Sequence, residues 1–356
     1  MSANNRMKAY DLIKLLQERM NESIIGQENI VERLIMALLA DGNMLLEGLP
    51  GLAKTRAVRA MSKIINSDFR RIQFTPDLTS ADVTGSEKMY EENGEYKFRF
   101  EEGPIFGNII LADEINRAPA KVQAVMLEAM EERQVTVAGK AYELPKLFIV
   151  LATQNPIEQE GTYPLPEAQK DRFLMHVKIT YADMESELKM IRLVREERDN
   201  LSRVVDNRRI PKEAIFAARR EIAKVKMSEE IERYIIALVY STRFPLRYSK
   251  QLNIFIEVGV SPRATLALEQ CSRVYAWLHG RDEVVVDDVK AIIHDVFRHR
   301  LVMSSSAELN EKTNDDIIDL ILEQVPAPGD EEREMREKLK MEREKRELAS
   351  GGSKDG

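Results

Sequence analysis

The stretch NMLLEGLPGLAKTRAVRAMSKII, residues 43–65, decides the fold. Its apolar run, Met44, Leu45 and Leu46, reads as a short buried strand. Gly48, Leu49, Pro50, Gly51, Leu52, Ala53, Lys54 and Thr55 follow, and then a helical pattern to Ile65. Strand, glycine-rich turn, Lys-Thr and helix is the order of a phosphate-binding loop. Glycine at 48 and 51 permits backbone angles that turn successive N–H groups inward. The helix that follows aims its positive end at the same point. Lys54 is placed to reach the β- and γ-phosphates, the Thr55 hydroxyl to ligate Mg²⁺, and Arg56 adjoins them. The general pattern has glycine before the lysine, where this chain has Ala53. The reading therefore needs partners for a triphosphate elsewhere in the chain.

The chain as a whole is compatible with that role. Its 356 residues suffice for two domains and a large core. Charged residues are 32% and hydrophobic residues 44%, an ordinary balance for a water-soluble fold. A net charge of -7 disfavours sequence-independent binding of long nucleic acid. Cys271 is the sole cysteine, so no intrachain disulfide can form, and a reducing, cytoplasmic setting is expected. No apolar stretch has the length of a membrane span, and the N-terminus carries no signal-peptide pattern.

Outward from the loop, residues 7–22 and 28–39 have helical periodicity, joined by the turn Ile24, Ile25, Gly26, Gln27. Strands are expected at residues 69–74, 108–113, 147–153 and 173–179, with a helix at 120–132. Strands alternating with helices imply a mainly parallel sheet covered on both faces. Two segments interrupt the pattern. Residues 88–100 alternate apolar and polar around Asn93-Gly94, and residues 134–144 do so around Gly139-Lys140. Both read as inserted hairpins. After Tyr181 the periodicity is helical throughout: 183–198, 212–225, 228–242, 262–278, 287–298 and 314–323. The expected fold is an α/β phosphate-loop domain with a parallel sheet and two β-hairpin insertions, followed by an all-α lid. The expected boundaries are 1–181, 182–325 and a charged tail, 326–356.

The apolar segment Ile109, Ile110, Leu111, Ala112 delivers Asp113 and Glu114 at its C-terminal end. In a parallel sheet that end lies beside the phosphate loop. Asp113 can hold Mg²⁺ directly or through water, and Glu114 can polarise the attacking water. Phosphoryl transfer asks mainly for positioning and charge stabilisation. The strand before Asn155 ends in polar residues, where an amide can hold the water or the γ-phosphate. The blander readings are a solvated acidic turn and an Asn-Pro turn. His176, His279, His294 and His299 have no metal-ligand spacing, so no transition metal is expected. Cys271 reads as packing, and so do Met126 and Met130.

With these residues in place the chain resembles the MoxR family of AAA+ ATPases, in the clade with a helix-2 insert. GLPGLAKT, with alanine before lysine, is that family's form of the loop. IIGQ at 24–27, LADEINRA at 111–118, LEAMEERQVT at 127–136, ATQNP at 152–156, LPEAQKDRF at 165–173 and SPRA at 261–264 also match. The resemblance runs from about residue 20 to 305. It implies ATP and Mg²⁺ as ligands, with Ile24, Ile25, Gly26 and Gln27 beside the adenine. It also implies that Arg172 is an arginine finger reaching a neighbouring subunit's γ-phosphate and that Arg263 is the lid's sensor. Whether Arg263 serves its own subunit or the next is open at this stage. A ring, a homo-hexamer, follows from the same resemblance. So does a chaperone-like role in maturing, or inserting metals into, a complex, together with a partner bearing a von Willebrand factor A domain. Two other readings compete: a nucleic-acid motor using Lys88, Lys97, Arg99 and Lys140, and a nucleotide-gated scaffold with slow turnover.

Overall fold

The computed structural model describes residues 3–48, 54–154, 165–198 and 209–329. Leu49, Pro50, Gly51, Leu52, Ala53 and Asn155 lie outside the described residues, as does the chain from residue 330.

In chain order, helices α1 (Ala3–Ser23) and α2 (Glu28–Leu39) lead into β1 (Met44–Gly48). Next come α3 (Lys54–Ile65), β2 (Phe69–Gln73), α4 (Ser80–Thr84) and the hairpin β3 (Gly85–Glu92) with β4 (Glu95–Glu102). Then follow β5 (Ile109–Asp113), α5 (Ala120–Glu132) and the hairpin β6 (Gln134–Val137) with β7 (Lys140–Glu143). β8 (Ile149–Gln154), α6 (Glu167–Lys170) and β9 (Met175–Ile179) complete the α/β part. Five strands form one sheet in the order β2-β5-β8-β1-β9, all paired parallel.

The strand alternation splits the core in two. Met44, Leu46, Ile109, Leu111, Ile149 and Leu151 face a large cluster shared with α2, α3 and the helical region. Leu45, Ile110, Ala112, Val150 and Ala152 face a second cluster with Val122, Met126 and Met130 of α5. Residues buried on both faces explain why these strands read as apolar runs. Each fully buried Leu or Ile contributes about 1.5–3 kcal/mol of transfer free energy. Because the strands are parallel, Gly48, Asp113 and Gln154 emerge at one edge of the sheet.

The first hairpin turns at Asn93 (φ 57°) and Gly94 (φ 81°), as expected. The second turns at Ala138 (φ 49°) and Gly139 (φ 79°) rather than at Gly139-Lys140. Lys140 is instead the first residue of β7, paired with Val137. A two-residue turn with both central residues left-handed matches the strand twist, and here it outweighs the cost of placing alanine there. Phe100 stacks on Tyr142 with centroids 4.0 Å apart, which seats one hairpin on the other. Tyr96 and Phe98 are both 68% exposed at the first hairpin's outer end.

The second region contains α7 (Met184–Arg198), α8 (Lys212–Ile222), α9 (Glu229–Arg243), α10 (Lys250–Phe255), β10 (Ile256–Val258) and α11 (Pro262–Leu278). It ends with α12 (Val286–Phe297), β11 (Val302–Met303), α13 (Ser305–Leu309) and α14 (Asn314–Gln324). It is a helical lid with one small addition, the antiparallel ladder β10–β11. These strands have three and two residues, too few for a period-2 signal. α12 covers the open edge of β9, where Arg298 donates to the His176 carbonyl (2.5 Å). Cys271 is fully buried, and burial pushes its thiol up to about 12, so it is inert packing. Among the described residues no helix is long and apolar enough to cross a membrane.

Candidate active site

The C-terminal edge of the sheet gathers the first set of groups. Lys54 opens α3, and its ammonium bonds back to the Gly48 carbonyl (2.5 Å), bridging the two described ends of the loop. Burial lowers its pKa, while Asp113, Glu114 and Glu47 act the other way. An ammonium surrounded by carboxylates at a helix N-terminus fits a triphosphate with its metal ion, and Thr55, the next residue of α3, adds a hydroxyl.

Asp113 ends β5, and Glu114 follows with φ 58° and ψ 48°. A non-glycine residue held in this left-handed region is strained, and such strain collects at functional sites. Thr153 holds the pair. Its Oγ1 accepts from the Glu114 N–H (2.9 Å) and donates to Asp113 Oδ1 (2.7 Å). Sequence reasoning missed Thr153, whose signal is only a polar residue closing the apolar run of β8. Each acid also carries an arginine. Arg71 of β2 binds Asp113 Oδ2 through Nε (3.0 Å) and Nη2 (2.6 Å). Arg117 Nη1 lies 3.0 Å from Glu114 Oε2.

Glu47, beside the loop on β1, accepts from Gln154 Nε2 (2.8 Å) and lies 2.9 Å from His176 Nε2. The His176 contact, assisted by Gln154 and by Lys178, holds the carboxyl at about 2, against the opposing effect of burial. A carboxylate depressed below its unfolded value of 4.5 stabilises the fold above that pH and loses this contribution as pH falls toward 2. The stability gap between wild type and Glu47→Gln is therefore expected to shrink as pH drops from about 5 to about 2, read by urea unfolding at each pH. A gap that stays constant through that window would remove the linkage.

The turn before α2 lies against the lid. Ile24 is buried and Ile25 partly so, while Gln27 Nε2 donates to the Thr180 carbonyl (3.0 Å). Arg56 Nε donates to the Ser23 carbonyl (3.0 Å), so it braces this turn from α3. Gly26 has φ +73°, and a Cβ there would collide with Ser186 of α7. Gly26→Ala is expected to cost about 1–3 kcal/mol through strain and the displaced helix. It is checked by thermal melting alongside nucleotide affinity, and an unchanged melt would mean that α7 is not seated here.

Arg172 and Arg263 sit elsewhere, and they sit together. Arg172 lies between α6 and β9, with Nη2 3.1 Å from Glu131 Oε2. Arg263, in the first turn of α11 after the cap Ser261, pairs with the other oxygen of Glu131. The partner of Arg172 thus comes from α5 and not from its sequence neighbours Asp171 and Glu167. Asp171 instead accepts from Ser261 Oγ (2.7 Å) and from Arg300 Nε (2.9 Å). Arg300 also donates to the Phe173 carbonyl (2.5 Å). The Leu174 N–H bonds the Asn43 carbonyl, while Ile179 pairs with Gly48. Five residues of strand separate those two levels, about 17 Å at ~3.3 Å per residue. Both arginines therefore lie at the opposite end of the sheet from their own chain's Lys54, Asp113 and Glu114.

A phosphate loop after β1, two acids at the end of the parallel strand β5, one strand removed across β8, and a helical lid define a nucleotide-dependent ATPase of the AAA class. The model for the "ATPase family associated with various cellular activities (AAA)" matches residues 43–175, and that for the AAA lid domain matches 251–321. The chain is 39% identical to Chaperone MoxR1 of Mycobacterium tuberculosis, over 86% of this chain and 79% of that protein. It is 29% identical to Protein MoxR of Methylorubrum extorquens, over 89% of this chain and 96% of that one. A crystal structure from Cytophaga hutchinsonii, provisionally described as an ATPase, superposes with a TM-score of 0.81 at 40% identity. It covers 91% of this chain and 97% of its own. The chain belongs to the MoxR family of AAA ATPases.

Proposed function

We propose that this chain hydrolyses ATP with Mg²⁺ in a shared-site ring and uses the cycle to remodel a partner protein. The observation that carries the reading is the separation of the arginine pair from the acids. Arg172 and Arg263 are too far from their own phosphate loop to serve it, so a neighbouring chain's loop is the site they fit. Closed rings arise when one face of a chain meets a different face of the next.

The residue roles in this reading are as follows. Lys54 binds phosphate oxygens, together with Gly48, Pro50, Gly51, Leu52 and Ala53 of the loop. Thr55 and Asp113 are the groups that would hold Mg²⁺, which when bound neutralises charge on the phosphates. Glu114 takes the proton of the attacking water, and Asn155 orients that water. Arg172 from the next chain stabilises charge on the transferring phosphoryl group, and Arg263 beside it assists in trans. Ile24, Ile25, Gly26 and Gln27 line the adenine side.

Remodelling rests on the chaperone name of the Mycobacterium relative. A von Willebrand factor A-domain protein is the partner that the family resemblance suggests, and the reducing cytoplasm is the compartment. The test measures hydrolysis per chain against protein concentration while sedimentation follows assembly. The rate per chain should rise as rings form. A monomeric preparation that hydrolyses as fast per chain as the ring would sink the shared site. ATP-dependent capture of one defined protein complex supports remodelling, whereas capture of nucleic acid with DNA-stimulated hydrolysis favours a motor.

A further inference from the structure

We propose that Arg71 is a positioning residue that competes with the divalent cation for Asp113. This rests on the reading that Asp113 takes Mg²⁺. Both oxygens of Asp113 are engaged: Oδ1 by the Thr153 hydroxyl, and Oδ2 by Nε and Nη2 of Arg71 together. Arg71 gets there from the neighbouring strand. Gln73 is the residue registered opposite Asp113, and Arg71, two positions earlier on the same face, reaches forward past it. Arg71 Nη2 also donates to Gln73 Oε1 (2.5 Å), so the guanidinium has a second anchor when it leaves the carboxylate.

Packing does not account for the pair. The Arg71 side chain is 45% exposed, and a half-exposed ion pair adds little to folding. What the pair does is hold Asp113 in one rotamer with a positive charge against Oδ2, while Thr153 occupies Oδ1. A guanidinium and a divalent cation on one carboxylate oxygen repel each other. Near water-like screening, removing that charge should favour the cation by about threefold to tenfold. The adjacent Arg70 points to the other face and pairs with Asp68, so it is a matched control.

The experiment measures the dissociation constant of a fluorescent, non-hydrolysable ATP analogue in excess Mg²⁺ and in EDTA. The ratio of the two is the affinity that Mg²⁺ contributes. In Arg71→Ala that ratio should rise about threefold to tenfold over wild type, while Arg71→Lys, which keeps the charge, and Arg70→Ala stay near wild type. Arg71→Gln, which keeps a donor to Asp113 but no charge, should follow the alanine variant and gives the answer if alanine melts early. A ratio unchanged in Arg71→Ala and Arg71→Gln overturns the proposal, and so does Arg71→Lys behaving like alanine. If wild type binds no analogue with or without Mg²⁺, the ATPase assignment of this site is what fails.

Discussion

Glu114→Gln is expected to lower the turnover of ATP by about 10²–10⁴-fold and to leave ATP affinity within a few-fold. The glutamine has the same shape, and the backbone that places it is unchanged. The left-handed φ of 58° is held by the N–H bond to Thr153 and does not depend on the side-chain charge. What is lost is the carboxylate proposed to accept a proton from water, so the effect should fall on the chemical step. Arg117 now faces an amide in place of a carboxylate, which removes an ion pair of modest worth at this exposure. Single-turnover hydrolysis with pre-bound ATP separates binding from chemistry. A fall of less than tenfold would assign the proton to another group. Loss of ATP binding would give Glu114 a structural role instead.

Arg172→Ala is expected to lower turnover by about 10³-fold or more, the range seen when an arginine finger is withdrawn. The chain carrying the substitution keeps its own loop, acids and Thr153, all about 17 Å or more away along the strand. Its defect should appear in the neighbour. Mixed in equal amounts with Glu114→Gln chains, it should regain hydrolysis, because about a quarter of randomly formed interfaces then pair an intact Glu114 with an intact Arg172. Two dead proteins that recover activity on mixing are hard to explain within one chain. Mixtures as inactive as their components would contradict the shared site. Glu131 enters this result: its carboxylate now holds both arginines, so Glu131→Gln frees them and tests whether that pairing restrains the finger.

The parts legible in the sequence were those whose signals are local. The phosphate loop, the acids at the end of β5, the Asn93-Gly94 turn and α5 from Ala120 to Glu132 each depend on neighbours within one turn or one hairpin. What escaped depends on strand register. Thr153 touches Asp113 because β8 lies beside β5, and Arg71 touches it because β2 lies on the other side; no spacing along the chain announces either. Glu131 and Arg300 meet the Arg172 junction from α5 and from the residue run after α12, which only the folded lid brings there. The short pieces α10, α13, β10 and β11 escaped for a different reason. They span at most one or two turns, or two to three residues, and are held by tertiary packing. The second hairpin's turn moved because a left-handed alanine is costly in isolation, and strand pairing overrides that cost.

Asp171 has a consequence for timing around a ring. One carboxylate ties the lid, through Ser261 and Arg300, to the segment that carries Arg172. The same lid rests through Ser186 on the Gly26 turn, which Arg56 of α3 braces from the nucleotide side. In the ring proposed above, a shift of the lid on that turn would also shift Arg172, which would serve the neighbour's reaction. Each chain in such a ring would report its own occupancy by advancing or delaying its neighbour, and firing would pass from site to site in sequence. Cutting the link at Asp171 would leave every site chemically whole and the order of firing lost.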